Sequence, residues 1–179
     1  GGRKVGLVGF GGIGRRVSEL LAPFHCDITA YDPYGDFSGS SVNSVSLDAL
    51  LSRSEVVSIH AGMTVDTRGM LGWRELALMP DNALLVNTAR AGILDEDATV
   101  SELVSGRIRA ALNVFWKEPL DAEHPLRGLD NVILTPHGGG LTYDRQIRQS
   151  KSLVEDIRLV CEGECPKHEV TAEMLLRMT

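Results

Sequence analysis

Three side chains with complementary chemistry each fall just after a run of apolar residues. Arg90 ends Asn87-Thr88-Ala89-Arg90, Glu118 precedes Pro119 shortly after Asn113-Val114-Phe115, and His137 ends Thr135-Pro136-His137. Taken singly, Arg90 could be a surface ion-pair partner, Glu118 a solvated loop charge and His137 a helix or loop cap. Together they are the groups that carbonyl reduction requires: a cation for the substrate, a proton donor, and a carboxylate that orients and charges the donor. The segment His60-Ala61-Gly62-Met63-Thr64 follows a further apolar run and is expected to line the same crevice, with His60 in a structural role.

A second constellation opens the chain. Gly9-Phe10-Gly11-Gly12-Ile13-Gly14 follows the first apolar run and begins an amphipathic stripe. In such a turn Gly9 permits the tight bend, Gly11 has no Cβ to block a pyrophosphate, and Gly14 lets the helix pack closely. The free N–H groups and positive dipole end of that helix then face the phosphate charge. Asp32 stands eighteen residues after Gly14, at the end of the next apolar run, where a carboxylate accepts hydrogen bonds from both ribose hydroxyls of an adenosine. That spacing points to a dinucleotide. A carboxylate there also repels a 2′-phosphate, which favours NAD over NADP. The alternative is a structural glycine turn with an incidental Asp.

These residues need elements to hold them. Nearly continuous runs of Val, Ile, Leu and Ala predict strands at Val5–Val8, Ile28–Tyr31, Val56–His60, Ala83–Asn87, Ile108–Asn113 and Val132–Leu134, the pattern of parallel strands covered on both faces. Helical stripes fit between them. Ile13, Val17, Leu20 and Leu21 share one face; Asp95-Glu96-Asp97 open a helix that Gly106 closes; Leu47–Leu51 and Trp73–Leu78 make short turns; and a last helix runs from Thr142 to a stop at Gly163. Strand alternating with helix predicts an α/β fold, a doubly wound parallel sheet of the Rossmann type, with ligands beyond the C-terminal strand ends.

Composition narrows the function classes. The chain has 179 residues, 43% hydrophobic and 23% charged, which suits one globular domain. Its charge is −6 and its basic residues are scattered, so nucleic acid is not an expected partner. Apolar runs such as Ala83-Leu84-Leu85-Val86 are too short to cross a membrane. The three cysteines are a poor disulfide framework and fit a reducing, cytoplasmic setting. Cys161, Cys165 and His168 lack a fourth ligand at zinc spacing, so no metal is expected. The chain begins Gly1-Gly2-Arg3-Lys4 without Met, as a domain cut from a longer protein does.

The stretches LVNTARAG (Leu85–Gly92), ILDEDATVSELVSGR (Ile93–Arg107), ALNVFWKEP (Ala111–Pro119) and LTPHGGG (Leu134–Gly140), with the glycine turn, closely resemble the D-isomer-specific 2-hydroxyacid dehydrogenases over nearly the whole chain. The resemblance implies hydride transfer between NADH and a 2-keto acid to give a D-2-hydroxy acid. In it Arg90 binds and polarises the keto acid, and Glu118 pairs with His137. Gly12 and Ile13 touch pyrophosphate, Asp32 and Pro33 the adenosine end, and Thr88 with Ala89 the nicotinamide side, while Ala61 and Gly139 also belong to the cofactor site. This chain departs from the family in carrying Asn113 where an Asp usually holds the nicotinamide carboxamide, and Gly62 where a Pro is common. The family's N-terminal part of the substrate domain is also absent. The expectation is therefore the cofactor domain alone, spanning 1–179, with a tail from about 163 that would rejoin the missing domain, and a homodimer formed through the cofactor domain. Such a fragment should bind NADH yet reduce no keto acid at a useful rate. A corepressor that senses NADH, known in the same family, is the second reading, and a scaffold with a vestigial site the third.

Overall fold

β1 (Lys4–Val8) lies inside a sheet of seven parallel strands in a computed structural model of the chain, which describes residues 2–140 and 142–175. On one side of it stand β2 (Asp27–Tyr31) and β3 (Asn43–Ser44). On the other follow β4 (Val56–Ile59), β5 (Leu84–Asn87), β6 (Arg109–Leu112) and β7 (Val132–Leu134). The order β3-β2-β1-β4-β5-β6-β7 reverses direction between β1 and β4, which opens a crevice there. The register sets Tyr31, Val8, Ile59, Asn87, Leu112 and Leu134 side by side, so the C-terminal strand ends finish on one edge.

Alternation along β1 explains the two-sided core. Val5 and Leu7 join Phe10, Ala30 and Val42 on the face covered by α1 (Gly12–Leu21). Val8 joins Leu50, Val57, Ile59, Leu85, Leu103 and Ile108 in a larger cluster under α2 (Leu47–Arg53), α3 (Trp73–Ala77) and α4 (Glu96–Val104). A Cβ on Gly6 would meet the Leu50 side chain and Ser54 Oγ at 2.4 Å, so α2 lies directly on bare backbone. Local signals end the helices. Ser46 and Asp95 cap α2 and α4 by accepting from the Ala49 and Ala98 N–H groups, and Gly106 takes φ +74° beyond α4.

α5 (Tyr143–Cys161) begins at the Thr142 cap and has no buried side chain; Leu153, Val154, Ile157 and Val160 form an exposed apolar stripe. Among the described residues no helix is long and apolar enough to cross a membrane. A four-residue helix, α6 (Ala172–Leu175), follows. Gly1 and residues 176–179, the end of the expected tail, lie outside the described residues.

Three strands are shorter than their apolar runs: β4 stops before His60, β5 starts after Ala83, and β6 leaves out both Ile108 and Asn113. β3 escapes a periodicity reading, since two polar residues at an exposed edge carry no alternation. The 3-10 turn Ala91–Ile93 is likewise set by its neighbours, as Leu71 N–H donates to Ile93 O at 3.1 Å.

Gly9 takes φ +95°, and a Cβ there would come within 2.4 Å of Ala61 N. Gly9→Ala is therefore expected to lose about 2 kcal/mol or more in urea denaturation, through left-handed strain and a backbone clash. Gly11→Ser meets no protein atom and adds a capping hydroxyl to α1, so its stability should stay within about 1 kcal/mol of the parent or rise. Equal losses in both variants would show that the turn is not held by this contact.

Candidate functional site

The glycine turn is tied to β2 at two points. Gly9 N–H donates to Tyr31 O at 2.8 Å, and Phe10 N–H donates to Asp32 Oδ2 at 2.8 Å. The other Asp32 oxygen accepts from Tyr34 N–H at 2.9 Å. Each carboxylate oxygen keeps a further lone pair for a ligand. Gly14 fixes α1 against the turn, because a Cβ there would stand 2.3 Å from Gly9 O. At Gly11 and Gly12 a Cβ would meet nothing, leaving open space in front of the helix start. That start has no side-chain cap and no acidic residue in its first turn, so its N–H groups face outward with the positive end of the dipole. Ile13 is exposed beside them.

Next to this turn lies a cleft of about 570 Å³, lined by Gly9, Gly11, Asp32, Pro33 and Ala61 together with Tyr34, Thr64 and Asp66. No Lys or Arg is among the described residues that line it. These features fit a dinucleotide: open space and free N–H groups for a pyrophosphate, and a carboxylate at the rim for a ribose.

A second cleft, of about 320 Å³, is lined by Arg90, Glu118 and His137 with Met63, Phe115 and Trp116. Each of the three predicted groups arrives by a separate backbone device. The buried Asn87 at the end of β5 accepts from Ala89 N–H and donates to Arg90 O, both at 3.0 Å, which closes the turn that delivers Arg90. Glu118 Oε1 accepts from Phe115 N–H at 3.0 Å, leaving Oε2 for His137 Nδ1 at 2.7 Å. His137 has φ +49°, a left-handed conformation that costs a non-glycine residue about 1–3 kcal/mol, and its N–H donates to Thr135 O across Pro136. Thr135 Oγ1 in turn donates to Asn113 Oδ1 at 2.8 Å, linking the ends of β6 and β7. The Asn113 amide nitrogen then faces Gly139, where a Cβ would lie 3.4 Å away.

The electrostatics follow from these contacts. The His137 hydrogen bond chiefly, then the Phe115 N–H and the Arg90 charge, hold the Glu118 carboxyl below its usual value. A further cavity of about 420 Å³, lined by Leu120, Arg127, Leu134 and Pro136, shares Phe115, Glu118 and His137 with this cleft, so the pair lines two openings. Among the described residues His60 Nε2 is buried without a hydrogen-bond partner, and burial lowers the pKa of His60. Its Cβ lies 3.8 Å from the position a Gly14 Cβ would take, under the glycine turn.

Thr88 and Ala89 sit on the turn that carries Arg90, outside the lining of both clefts. Sequence reasoning missed Asp66, Arg68 and Thr135. The first two belong to a polar turn, Thr64-Val65-Asp66-Thr67-Arg68-Gly69, in which Thr67 Oγ1 donates to Gly62 O at 2.8 Å and accepts from Thr64 N–H at 2.7 Å. That hydroxyl-rich run was the available signal. His168 Nδ1 lies 2.8 Å from Asp156 Oδ2, while Cys161 and Cys165 are exposed free thiols.

Residues 1–139 match the family described as D-isomer specific 2-hydroxyacid dehydrogenase, NAD binding domain. The chain is 42% identical over 159 residues to a hydroxypyruvate reductase of Thermotoga maritima, covering 87% of this chain and 52% of the relative. Among solved structures it is similar to an NAD-dependent formate dehydrogenase from Staphylococcus aureus in complex with NAD, at 31% identity and TM-score 0.80, covering 96% and 51% of the two chains. It is also similar to a D-isomer specific 2-hydroxyacid dehydrogenase from Xanthobacter autotrophicus Py2 in complex with NADPH and MES, at 31% identity and TM-score 0.83, covering 94% and 71%. The chain spans between about a third and a half of the length of the first curated relatives it matches.

Because the folded-state value of Glu118 is lowered, its stabilising contribution is present above the usual carboxylate value and is lost as pH falls through the lowered one. The stability difference between the parent and Glu118→Gln should therefore shrink as pH falls from about 5 toward 3. A carboxyl NMR titration should show Glu118 moving up in His137→Ala, whereas an unmoved Glu118 would assign the shift to the Phe115 N–H instead.

Proposed function

Because the chain belongs to the D-isomer-specific 2-hydroxyacid dehydrogenases, matching their NAD-binding domain, we propose that it is the cofactor half of an oxidoreductase interconverting a 2-keto acid and a D-2-hydroxy acid. The observation that carries this reading is the Glu118–His137 pair at 2.7 Å sharing one cleft with Arg90, beyond the C-terminal edge of a sheet that also bears the glycine turn.

When bound, the nicotinamide cofactor supplies the hydride that the keto carbon gains, or accepts it in the reverse reaction. The residues of this chain do the rest. Arg90 grips the substrate carboxylate and polarises the carbonyl, for which a planar guanidinium suits two oxygens at once. Glu118 on Nδ1 fixes the His137 ring so that Nε2 carries the proton toward the carbonyl oxygen, and takes it back in oxidation. Gly11, Gly12 and Ile13 receive the pyrophosphate, Asp32 with Pro33 the adenosine, and Asn113 with Thr88, Ala89 and Gly139 the nicotinamide end. Asn113 can donate to a carboxamide oxygen through its amide nitrogen, because Thr135 already occupies its own oxygen.

The reading extends to a complete protein with a substrate domain, in a cytoplasmic homodimer without nucleic-acid or membrane partners. Supporting it are the partial coverage of the relatives, the −6 charge, and apolar surface awaiting cover on α5 and at Ile133 of β7, which is 66% exposed. No observation favours the corepressor reading.

In that complete protein, His137→Gln is expected to cut kcat/KM for glyoxylate, pyruvate or hydroxypyruvate by about 100-fold or more, with NADH affinity within about twofold of the parent. Parental turnover in this variant would remove His137 from the chemistry. Failure of the parent to reduce any 2-keto acid with NADH would overturn the proposed activity.

Asp32 and Asp66 at the adenosine cleft lead to a separate expectation: calorimetry should show NADH binding the 179-residue chain at least about tenfold more tightly than NADPH, about 1.4 kcal/mol. Equal affinities would mean that Asp32 does not face the ribose.

A further inference from the structure

Arg68 lines the Arg90–Glu118–His137 cleft and has no role in the chemistry described above. Its place is fixed by backbone. The turn before it is closed by the Thr64 and Thr67 hydroxyls, and Arg68 N–H donates to Thr64 O at 3.1 Å. The residues after it are stitched to the segment that follows Arg90: Gly69 N–H donates to Gly92 O at 2.8 Å, Leu71 N–H to Ile93 O at 3.1 Å, and Asp95 N–H to Leu71 O at 3.0 Å. Arg68 Nη1 reaches to 4.0 Å from the position of a Gly92 Cβ, two residues from Arg90.

Several arginines of the chain hold no carboxylate, and Arg68 and Arg90 are the two of them that line this cleft. Arg3, Arg16, Arg74, Arg107 and Arg158 each hold a carboxylate in an ion pair. Among the described residues neither Arg68 nor Arg90 has such a partner. Glu118, the one carboxylate among the described residues that line this cleft, is already engaged by His137 and the Phe115 N–H. With His137 in its proton-donating form, the cleft carries two more positive charges than negative ones. A substrate with a single carboxylate neutralises only one of them, and like charges in a partly enclosed cleft repel.

We propose that Arg68 is a specificity-determining residue that binds a second anionic group on the 2-keto acid, a carboxylate or a phosphate, while Arg90 holds the α-keto acid end. This rests on the reductase reading of the same cleft. The substrate is then a dianionic 2-keto acid, its two charges set apart by the spacing of the two guanidiniums.

The test compares matched substrates in the complete protein. 2-Oxoglutarate against 2-oxopentanoate isolates a distal carboxylate, and phosphohydroxypyruvate against hydroxypyruvate isolates a phosphate. At least one pair should show a dianion-to-monoanion ratio of kcat/KM of about ten or more, carried mainly by KM, and the pair that does identifies the group. In Arg68→Gln that ratio should collapse to within about threefold of unity, and Arg68→Lys should restore part of it. Ratios near one for both pairs in the parent, or a ratio unchanged in Arg68→Gln, would overturn the proposal. A tenfold loss of NADH affinity in Arg68→Gln with the ratio intact would do the same, by assigning the guanidinium to the cofactor phosphates.

If no 2-keto acid is reduced, the activity reading fails on its own, and the same pairs are then titrated by Trp fluorescence. Trp116 reports from the cleft wall, its Nε1–H anchored on Leu94 O at 2.9 Å. Tighter binding of a dianion, lost in Arg68→Gln, sustains the anion site; equal binding of both members removes it.

Discussion

The parallel ladder from β2 through β7 brings six strand ends level at one edge, and every candidate group in the chain hangs from that line. Strands running the same way and in register deliver their following loops to one side, so residues far apart in sequence meet there without long connections. The reversal of order between β1 and β4 keeps those loops from closing over one another. Two clefts result, one beside the glycine turn and one around Glu118 and His137. Ala61–Gly62 and Met63, consecutive in the chain after β4, face the first and the second respectively, so that one loop serves both.

Within this frame, short polar side chains set the geometry by hydrogen bonding to backbone. Asn87 closes the turn that carries Arg90, Asp32 clasps the glycine turn, and Thr135 locks Asn113. Buried polar groups are costly unless satisfied, so such contacts are specific as well as stabilising. They also fix the site before a ligand arrives. Glu118 divides its oxygens between the Phe115 N–H and His137, which leaves the imidazole little freedom about its outer nitrogen. The left-handed backbone at His137 is held from the preceding residues, by Pro136 and by the Thr135 carbonyl that accepts from the His137 N–H.

The distribution of charge separates the two clefts. Asp32 and Asp66 make the cleft beside the glycine turn acidic, whereas Arg68 and Arg90 make the other cleft basic around one engaged carboxylate. In the proposed function this separation suits a neutral ribose at one end of the edge and an anionic substrate at the other. The exposed stripe on α5 belongs to neither cleft, in keeping with a chain that spans only part of its relatives' length.

Much of this was legible in the residues themselves. Continuous apolar runs marked the inner strands, because a strand buried on both faces has no polar alternation. Gly9-Phe10-Gly11-Gly12-Ile13-Gly14 with Asp32 was read as a phosphate turn, and two of its glycines are required by the backbone: Gly9 for its positive φ and Gly14 for its approach to Gly9 O. Resemblance, beyond spacing alone, joined Glu118 to His137. What remained hidden depended on contacts between distant segments. β3 exists only as an edge partner of β2, and the ends of β4 and β6 are set by the ladder, not by hydrophobicity. Arg68 stands in a polar turn, which offers no periodicity to read. Hydrogen bonds to Gly92 and Ile93, formed across the fold, bring it beside Arg90, and no local pattern encodes a contact whose two halves are more than twenty residues apart.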